Sequence, residues 1–197
     1  MKDWQRVVKA LESFYAARGR RFPWRYTKDP YKIFVAEVML QKTPADRCVD
    51  VYTEFLKAFP TCKALAGAPE EFLRSFFHKL GLSKRALWLK DACTTITKAL
   101  DGEVPVDEEE LKKLKGVGDY TARAVVIAVN GSGRVAVDSN VRRVLTRLGV
   151  PEEEWDYLRV SKEAFYGLID IAALFCKPRD PDCRACPLNT LCRSRNF

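Results

Sequence analysis

The sequence predicts an all-α fold, and three observations carry that prediction. Apolar residues recur at steps of three and four through nearly the whole chain. No stretch alternates apolar and polar residues long enough to build a sheet. Glycine and proline cut the helical pattern into many short pieces with tight connections, which suits a compact helical fold better than a long bundle.

The first helix is "DWQRVVKALESFYAARG", stopped at Gly19. "DPYKIFVAEVMLQKT" opens the second, with Pro30 in the first turn after Asp29. "RCVDVYTEFLKAF" follows and ends before Pro60. Next come "CKALAGA", "PEEFLRSFFHKLG" and "SKRALWLKDACTTITKAL". "DEEELKKLK" runs into Gly116 and Gly118, and "YTARAVVIAV" leads from them to the loop "NGSG". "VAVD" is a short extended piece, "SNVRRVLTRLG" is helical again, and "KEAFYGLIDIAALFC" is the last helix.

A chain of 197 residues suffices for one large domain or two small lobes. Its net charge of +8 suits either a polyanion partner, usually nucleic acid, or a merely soluble cationic surface. No 18-residue apolar run is present, so no membrane span is expected. The N-terminus mixes charge with apolar residues at helical spacing and does not look like a signal peptide, so an intracellular location is expected.

Seven cysteines fall into two groups. Cys48, Cys62 and Cys93 are isolated in apolar or helical settings and read as small buried hydrophobes. Cys176, Cys183, Cys186 and Cys192 crowd the tail with the spacing C-x6-C-x2-C-x5-C. Four thiolates take either a tetrahedral zinc ion or a 4Fe–4S cluster. Zinc sites usually come as two close pairs, and here only Cys183 and Cys186 form one, so the spacing leans to iron–sulfur.

Helix, Gly-x-Gly, helix reads as a hairpin. Either glycine is free to take positive φ, and the next helix would start with unused N–H groups able to hold a phosphate. By itself the pair is also explained by a helix C-cap glycine with a flexible neighbour. Asp138 follows a short apolar run and precedes a helix bearing Arg142, Arg143 and Arg147. It reads as an N-cap, and the helix terminus would also keep it ionised, ready to stabilise a cationic transition state. Glu37 sits among Ile33, Phe34, Val38 and Leu40. It is either an exposed glutamate on an amphipathic helix or a carboxyl held protonated by apolar surroundings.

The run "LKGVGDYTARAVVIAVNGSGRVAVDSNVRRVL" resembles the helix–hairpin–helix, glycine/proline-rich loop and catalytic aspartate of the endonuclease III and MutY superfamily of DNA glycosylases. "FPWRYTKDPYKIFVAEVMLQKT" is similar to the N-terminal segment of MutY and of the thymine/uracil mismatch glycosylases, and the cysteine tail resembles their iron–sulfur loop. The resemblance covers nearly the whole chain. It implies the two-lobed HhH-GPD fold: a six-helix barrel over residues 28–135 with the hairpin at about 111–130, and a second helical domain from 1–27 and 136–197. That second domain would end in the cluster loop 176–192, with a DNA cleft between the lobes.

Roles follow from the same resemblance. Asp138 matches the catalytic aspartate, and Asn140 a position that orients it. Glu37 matches the glutamate that protonates adenine in MutY-type enzymes, or helps recognise the base in thymine-directed ones. Tyr120 stands where bifunctional relatives carry lysine. A phenol cannot form the Schiff base, so a monofunctional glycosylase is expected; alternatively Tyr120 only packs beneath the hairpin. Gly116, Val117, Gly118 and Thr121 of the hairpin, Gln41 and Lys42 of the wedge segment, Arg142, and Lys177 and Arg179 of the cluster loop are candidate DNA contacts. Cys176, Cys183, Cys186 and Cys192 would hold a 4Fe–4S cluster, structural or redox-sensing, since protein fills all four ligand positions.

"GLSKRALWLKDA" resembles the thymine-directed enzymes, with one residue missing between Ser83 and Arg85. The MutY double tyrosine is absent, and the chain stops soon after Cys192, without the MutY domain that recognises 8-oxoguanine. "VMLQKT" and "AVDSNV" look more like MutY, and the segment between Leu148 and Tyr166 is shorter than in either relative. The expectation is a monomeric enzyme that removes thymine or uracil opposite guanine from double-stranded DNA. The alternatives are a MutY-like adenine glycosylase, a DNA-binding hairpin module without catalysis, and a ferredoxin-like electron carrier.

Overall fold

The computed structural model describes residues 2–78, 80–81 and 83–195. Its helices are α1 (Lys2–Arg18), α2 (Pro30–Leu40), α3 (Ala45–Ala58), α4 (Cys62–Ala66), α5 (Glu70–His78), α6 (Ser83–Ala99), α7 (Glu108–Lys112), α8 (Asp119–Asn130), α9 (Ser139–Leu148) and α10 (Lys162–Leu174). The chain is mostly helical, as its periodicity predicts. One expectation needs correcting. Three-residue strands β1 (Ser132–Arg134) and β2 (Arg159–Ser161) pair antiparallel, Gly133 opposite Val160. The extended piece "VAVD" is not the strand; β1 precedes it, and Val135 N–H only extends the pairing to Leu158 O at 2.9 Å. A ladder this short leaves no alternation for a sequence pattern to reveal.

The chain divides into two compact units, Phe22–Asn130 and Met1–Arg21 with Gly131–Phe197. In Phe22–Asn130, α2 is the core helix. Asp29 caps it, accepting from Tyr31 N–H at 3.0 Å and Lys32 N–H at 3.2 Å, and Pro30 takes the first turn. Every residue from Tyr31 to Met39 except Lys32 is buried, so the helix is apolar nearly all round, with α3, α6 and α8 packed against it. Phe55 of α3 meets Phe59, Phe76 and Phe77 at ring distances of 5.0, 5.5 and 5.7 Å, joining α3 to α5. Fully burying each such ring contributes about 1.5–3 kcal/mol.

In the other unit α1 packs along α10. The two backbones touch at Gly167, where a Cβ would lie 2.5 Å from Leu11 O. Fully buried Asp170 of α10 is satisfied by Arg20, whose N–H and Nε donate at 2.8 and 2.6 Å. Ser161 closes β2, caps α10 through Ala164 N–H at 3.1 Å, and donates to Glu12 Oε1 at 2.6 Å. Helix α9 packs on α10 and ends at Gly149 with φ of 77°.

Candidate nucleic-acid interface and excision site

Helices α7 and α8 form the hairpin. Asp107 caps α7, and Val117 N–H returns to Leu114 O at 3.2 Å to make the turn. The two glycines serve different ends. Gly116 has φ of 82°, and a Cβ there would meet Trp88 Cε3 of α6 at 2.9 Å, so both conformation and space demand glycine. Gly118 is not in the left-handed region, contrary to the symmetrical expectation for the pair; around it a Cβ would meet no protein atom within 4 Å. Its lack of a side chain leaves open space at the head of α8. Ala122 N–H is the donor that closes on Gly118 O, at 3.0 Å, so the N–H groups of residues 119–121 precede the helical ladder. A helix terminus of this kind is able to hold an anion, and the approach at Gly118 is clear of protein atoms.

The charges around the hairpin are largely paired. Asp119 faces back to Lys112 Nζ at 3.4 Å, and Lys112 also meets Glu109 at 2.8 Å. Glu109 above all pulls the Lys112 ammonium above its ordinary range, against an opposing burial effect, and Asp119 adds to the pull. Lys113 pairs with Glu110 at 2.6 Å and Lys115 with Asp91 at 2.7 Å. Asp119 therefore does not turn its charge on the glycine turn alone; a lysine of α7 answers it.

Packing of α2 against α8 brings the chemistry-bearing helices of this unit together. Glu37 lies on α2 and is 5% exposed, which removes the reading of an exposed surface glutamate. Tyr120 is half-buried in the first turn of α8, and Thr121 is buried. Gln41, at the end of α2, is tied to the hairpin: its Nε2 donates to Gly116 O and to Thr121 Oγ1, both at 3.2 Å. Arg85 Nη1 donates to Gln41 O, and burial lowers the Arg85 guanidinium from its ordinary value. Lys42 follows with φ of 56°, a backbone state a long side chain seldom takes. The Gln41–Lys42 segment is thus a strained turn braced by the hairpin and by α6. Arg85 and Trp88 are supports that the sequence alone does not mark; no local pattern identifies a residue that acts across 28 or more positions.

In the other unit Asp138 caps α9. Its Oδ1 accepts from Asn140 N–H at 2.9 Å and Val141 N–H at 2.8 Å, and its Oδ2 accepts from Asn140 Nδ2 at 3.1 Å. Asn140 Oδ1 in turn accepts from Arg143 at 3.1 Å, and Arg143 reaches Cys176 O at 2.7 Å and Ala172 O at 3.0 Å. Arg147, one turn on, donates to Cys176 Sγ at 3.3 Å and Lys177 O at 2.7 Å. Residues 140, 143 and 147 share one helix face, and that spacing is the signal that could have linked them. Arg142, on another face, pairs with Glu152 at 2.6 Å and lies over Trp155 at 5.1 Å.

Cys176, Cys183, Cys186 and Cys192 line one cavity of about 290 Å³ with Arg147 and Asn189. All four are half-buried free thiols. Burial, then the neighbouring thiols, pushes Cys186 up to about 11; burial likewise raises Cys192. Among the described residues no three His, Cys, Asp or Glu side chains converge closely enough to hold a metal ion. Four sulfur donors are the ligand set that either a tetrahedral zinc ion or a 4Fe–4S cluster takes. Lys177 and Arg179 are exposed on the loop between the first two cysteines.

The model of the HhH-GPD superfamily base excision DNA repair protein matches residues 35–165. The chain is 38% identical to a thymine-DNA glycosylase of Aeropyrum pernix, over 93% of this chain and 92% of that protein. It is 31% identical to a thymine/uracil-DNA glycosylase of Pyrobaculum aerophilum, over 96% and 92%. The solved structure of a thermostable thymine-DNA glycosylase superposes with a TM-score of 0.87 at 28% identity, covering 98% of this chain and 97% of that one. On these matches the chain belongs to the HhH-GPD superfamily of base excision DNA repair proteins.

Proposed function

We propose that the protein is a monofunctional DNA glycosylase that removes thymine or uracil opposite guanine and leaves an abasic site in an uncut strand. The observation that carries the reading is the Asp138 carboxylate, held by two backbone N–H groups and by Asn140. The target nucleotide must leave the duplex before its glycosidic bond is reached. As that bond breaks the sugar gains oxocarbenium character, which the fixed Asp138 carboxylate stabilises. Glu37, buried on α2, supplies a proton or hydrogen bond to the departing base. Water takes the sugar, and the Tyr120 phenol offers no amine to form a Schiff base.

Binding is assigned to the same groups the sequence singles out. Gly116, Val117, Gly118 and the N–H groups ahead of Ala122 take a phosphate, and Thr121 and Gln41 brace that turn. Gln41 and Lys42 fill the space the base leaves. Cys176, Cys183, Cys186 and Cys192 would hold a 4Fe–4S cluster, which supplies a covalent knot for the tail and no hydrolytic chemistry. Lys177 and Arg179 lie on the loop that knot would fix, and Arg143 and Arg147 tie it to the helix that Asp138 caps. The architecture is read as a six-helix barrel lobe and a cluster lobe, acting as a monomer on double-stranded DNA inside the cell.

The test is a panel of duplexes carrying U·G, T·G, A·G and A·8-oxoguanine. Cleavage of the U·G and T·G strands after alkali, and not before it, is the expected result. Excision of adenine in place of the pyrimidines, or no abasic sites on any duplex, overturns the proposal.

A further inference from the structure

Outside the excision site and the cysteine tail, two sulfurs meet in the unit Phe22–Asn130. Cys62 opens α4 and Cys93 lies midway along α6, two helices packed on each other. Their Sγ atoms are 2.7 Å apart, with exposures of 1% and 0%. In the sequence both read as separate small hydrophobes, and their approach across 31 positions is visible only in the fold. Cys48, the third isolated cysteine, does behave as a buried hydrophobe: its thiol contacts Met39 O at 3.6 Å, and burial raises it to about 11.

We infer that Cys62 and Cys93 are a dithiol that peroxide closes to a disulfide, stapling α4 to α6. Access comes from one side. Cys62 lines a surface cavity of about 470 Å³ shared with Asp29–Tyr31 and Asp101–Val104, whereas Cys93 is enclosed. The Cys93 thiol is held protonated by its hydrogen bond with Cys62 and then by burial, so Cys62 is the attacking sulfur and Cys93 resolves. The Cys62 thiolate breaks the O–O bond of peroxide, giving a sulfenic acid and one water once the departing oxygen is protonated. The Cys93 sulfur then forms the S–S bond as the Cys62 S–O bond breaks, and hydroxide leaves with the Cys93 proton as a second water. Two thiols lose two electrons and peroxide gains them. The staple anchors the helix that carries Trp88 under Gly116 and Arg85 against the wedge turn.

The full chain as purified is treated with hydrogen peroxide or with dithiothreitol, unfolded in N-ethylmaleimide, digested and read by mass spectrometry. The expected product is a cross-linked peptide pair joining Cys62 to Cys93, about two mass units below the reduced pair because two hydrogens are lost, with Cys48 alkylated. The oxidised protein should melt about 5–15 °C above the reduced one, and Cys93→Ala should abolish that difference while changes arising at the tail cysteines persist. Maleimide on both Cys62 and Cys93 after peroxide overturns the inference. Because the peptide map is made on the unsubstituted chain, it decides between these outcomes even if Cys93→Ala does not fold.

Discussion

Asp138 loads its two oxygens unequally. Oδ1 takes both backbone N–H bonds of the cap, while Oδ2 takes a single bond from Asn140, which leaves it a lone pair for the substrate in the mechanism we propose. Asp138→Asn separates the two jobs, because asparagine is as good a cap as aspartate. Excision should fall by roughly 100-fold or more, while affinity for a U·G duplex and the melting temperature stay near those of the parent. Loss of binding together with activity would show that the cap is the dominant role. Tyr120 carries the second residue-scale prediction. Tyr120→Lys puts an amine in the first turn of α8, and borohydride should then trap a covalent complex with U·G DNA and strand nicking should appear without alkali. A variant that excises but never traps would place the residue away from the sugar. The places of both were legible in the sequence, Asp138 as a helix N-cap and Tyr120 at the start of the helix after the glycine pair, because each stands inside a motif. Arg143 was legible only in part: its charge and helix face could be read, but its partners Cys176 O and Ala172 O belong to a distant segment.

At the scale of the element, the hairpin shows what a motif leaves unsaid. Gly-x-Gly predicts a turn, and a turn is there, but the two positions are unlike. Gly116 answers to φ of 82° and to the Trp88 ring; Gly118 answers to neither. Gly116→Ala should therefore cost about 1–3 kcal/mol of stability, seen as a lower denaturant midpoint with unchanged slope. Gly118→Ala should be close to neutral, within about 0.5 kcal/mol, yet weaken duplex binding, because its methyl group would occupy the space left for a phosphate. Equal stability losses at both positions would refute the division. The strand pair lies at the other extreme of legibility. Gly133 and Val160 find each other across a connection that holds α9, and three residues a side write no period into the sequence.

At the scale of the molecule, the net charge of +8 suggests a strongly salt-dependent grip on DNA, but where the charge sits decides how strong. The helical pattern and the motif order were enough to foresee a mostly helical member of this family, because each helix carries its own period and cap. Charge placement was not foreseeable, because ion pairs such as Lys115 with Asp91 tie the hairpin turn to the distant helix α6. Lysines 112, 113 and 115 crowd the hairpin in the sequence, and in the fold each faces a carboxylate. A phosphate held there by neutral N–H groups displaces few counterions. Lys42 is different: it is exposed, on the strained turn after α2. Titrating the inactive Asp138→Asn protein with a U·G duplex between about 50 and 200 mM salt reads this out. Adding Lys42→Ala should reduce the slope of log K against log salt by about one, the value for one lost phosphate contact. Adding Lys115→Ala should reduce it by much less, since the charge removed was already answered by Asp91. Equal reductions from the two would mean that the hairpin lysines leave their carboxylates to grip the backbone, and that side chains, not N–H groups, hold the phosphate at the glycine turn.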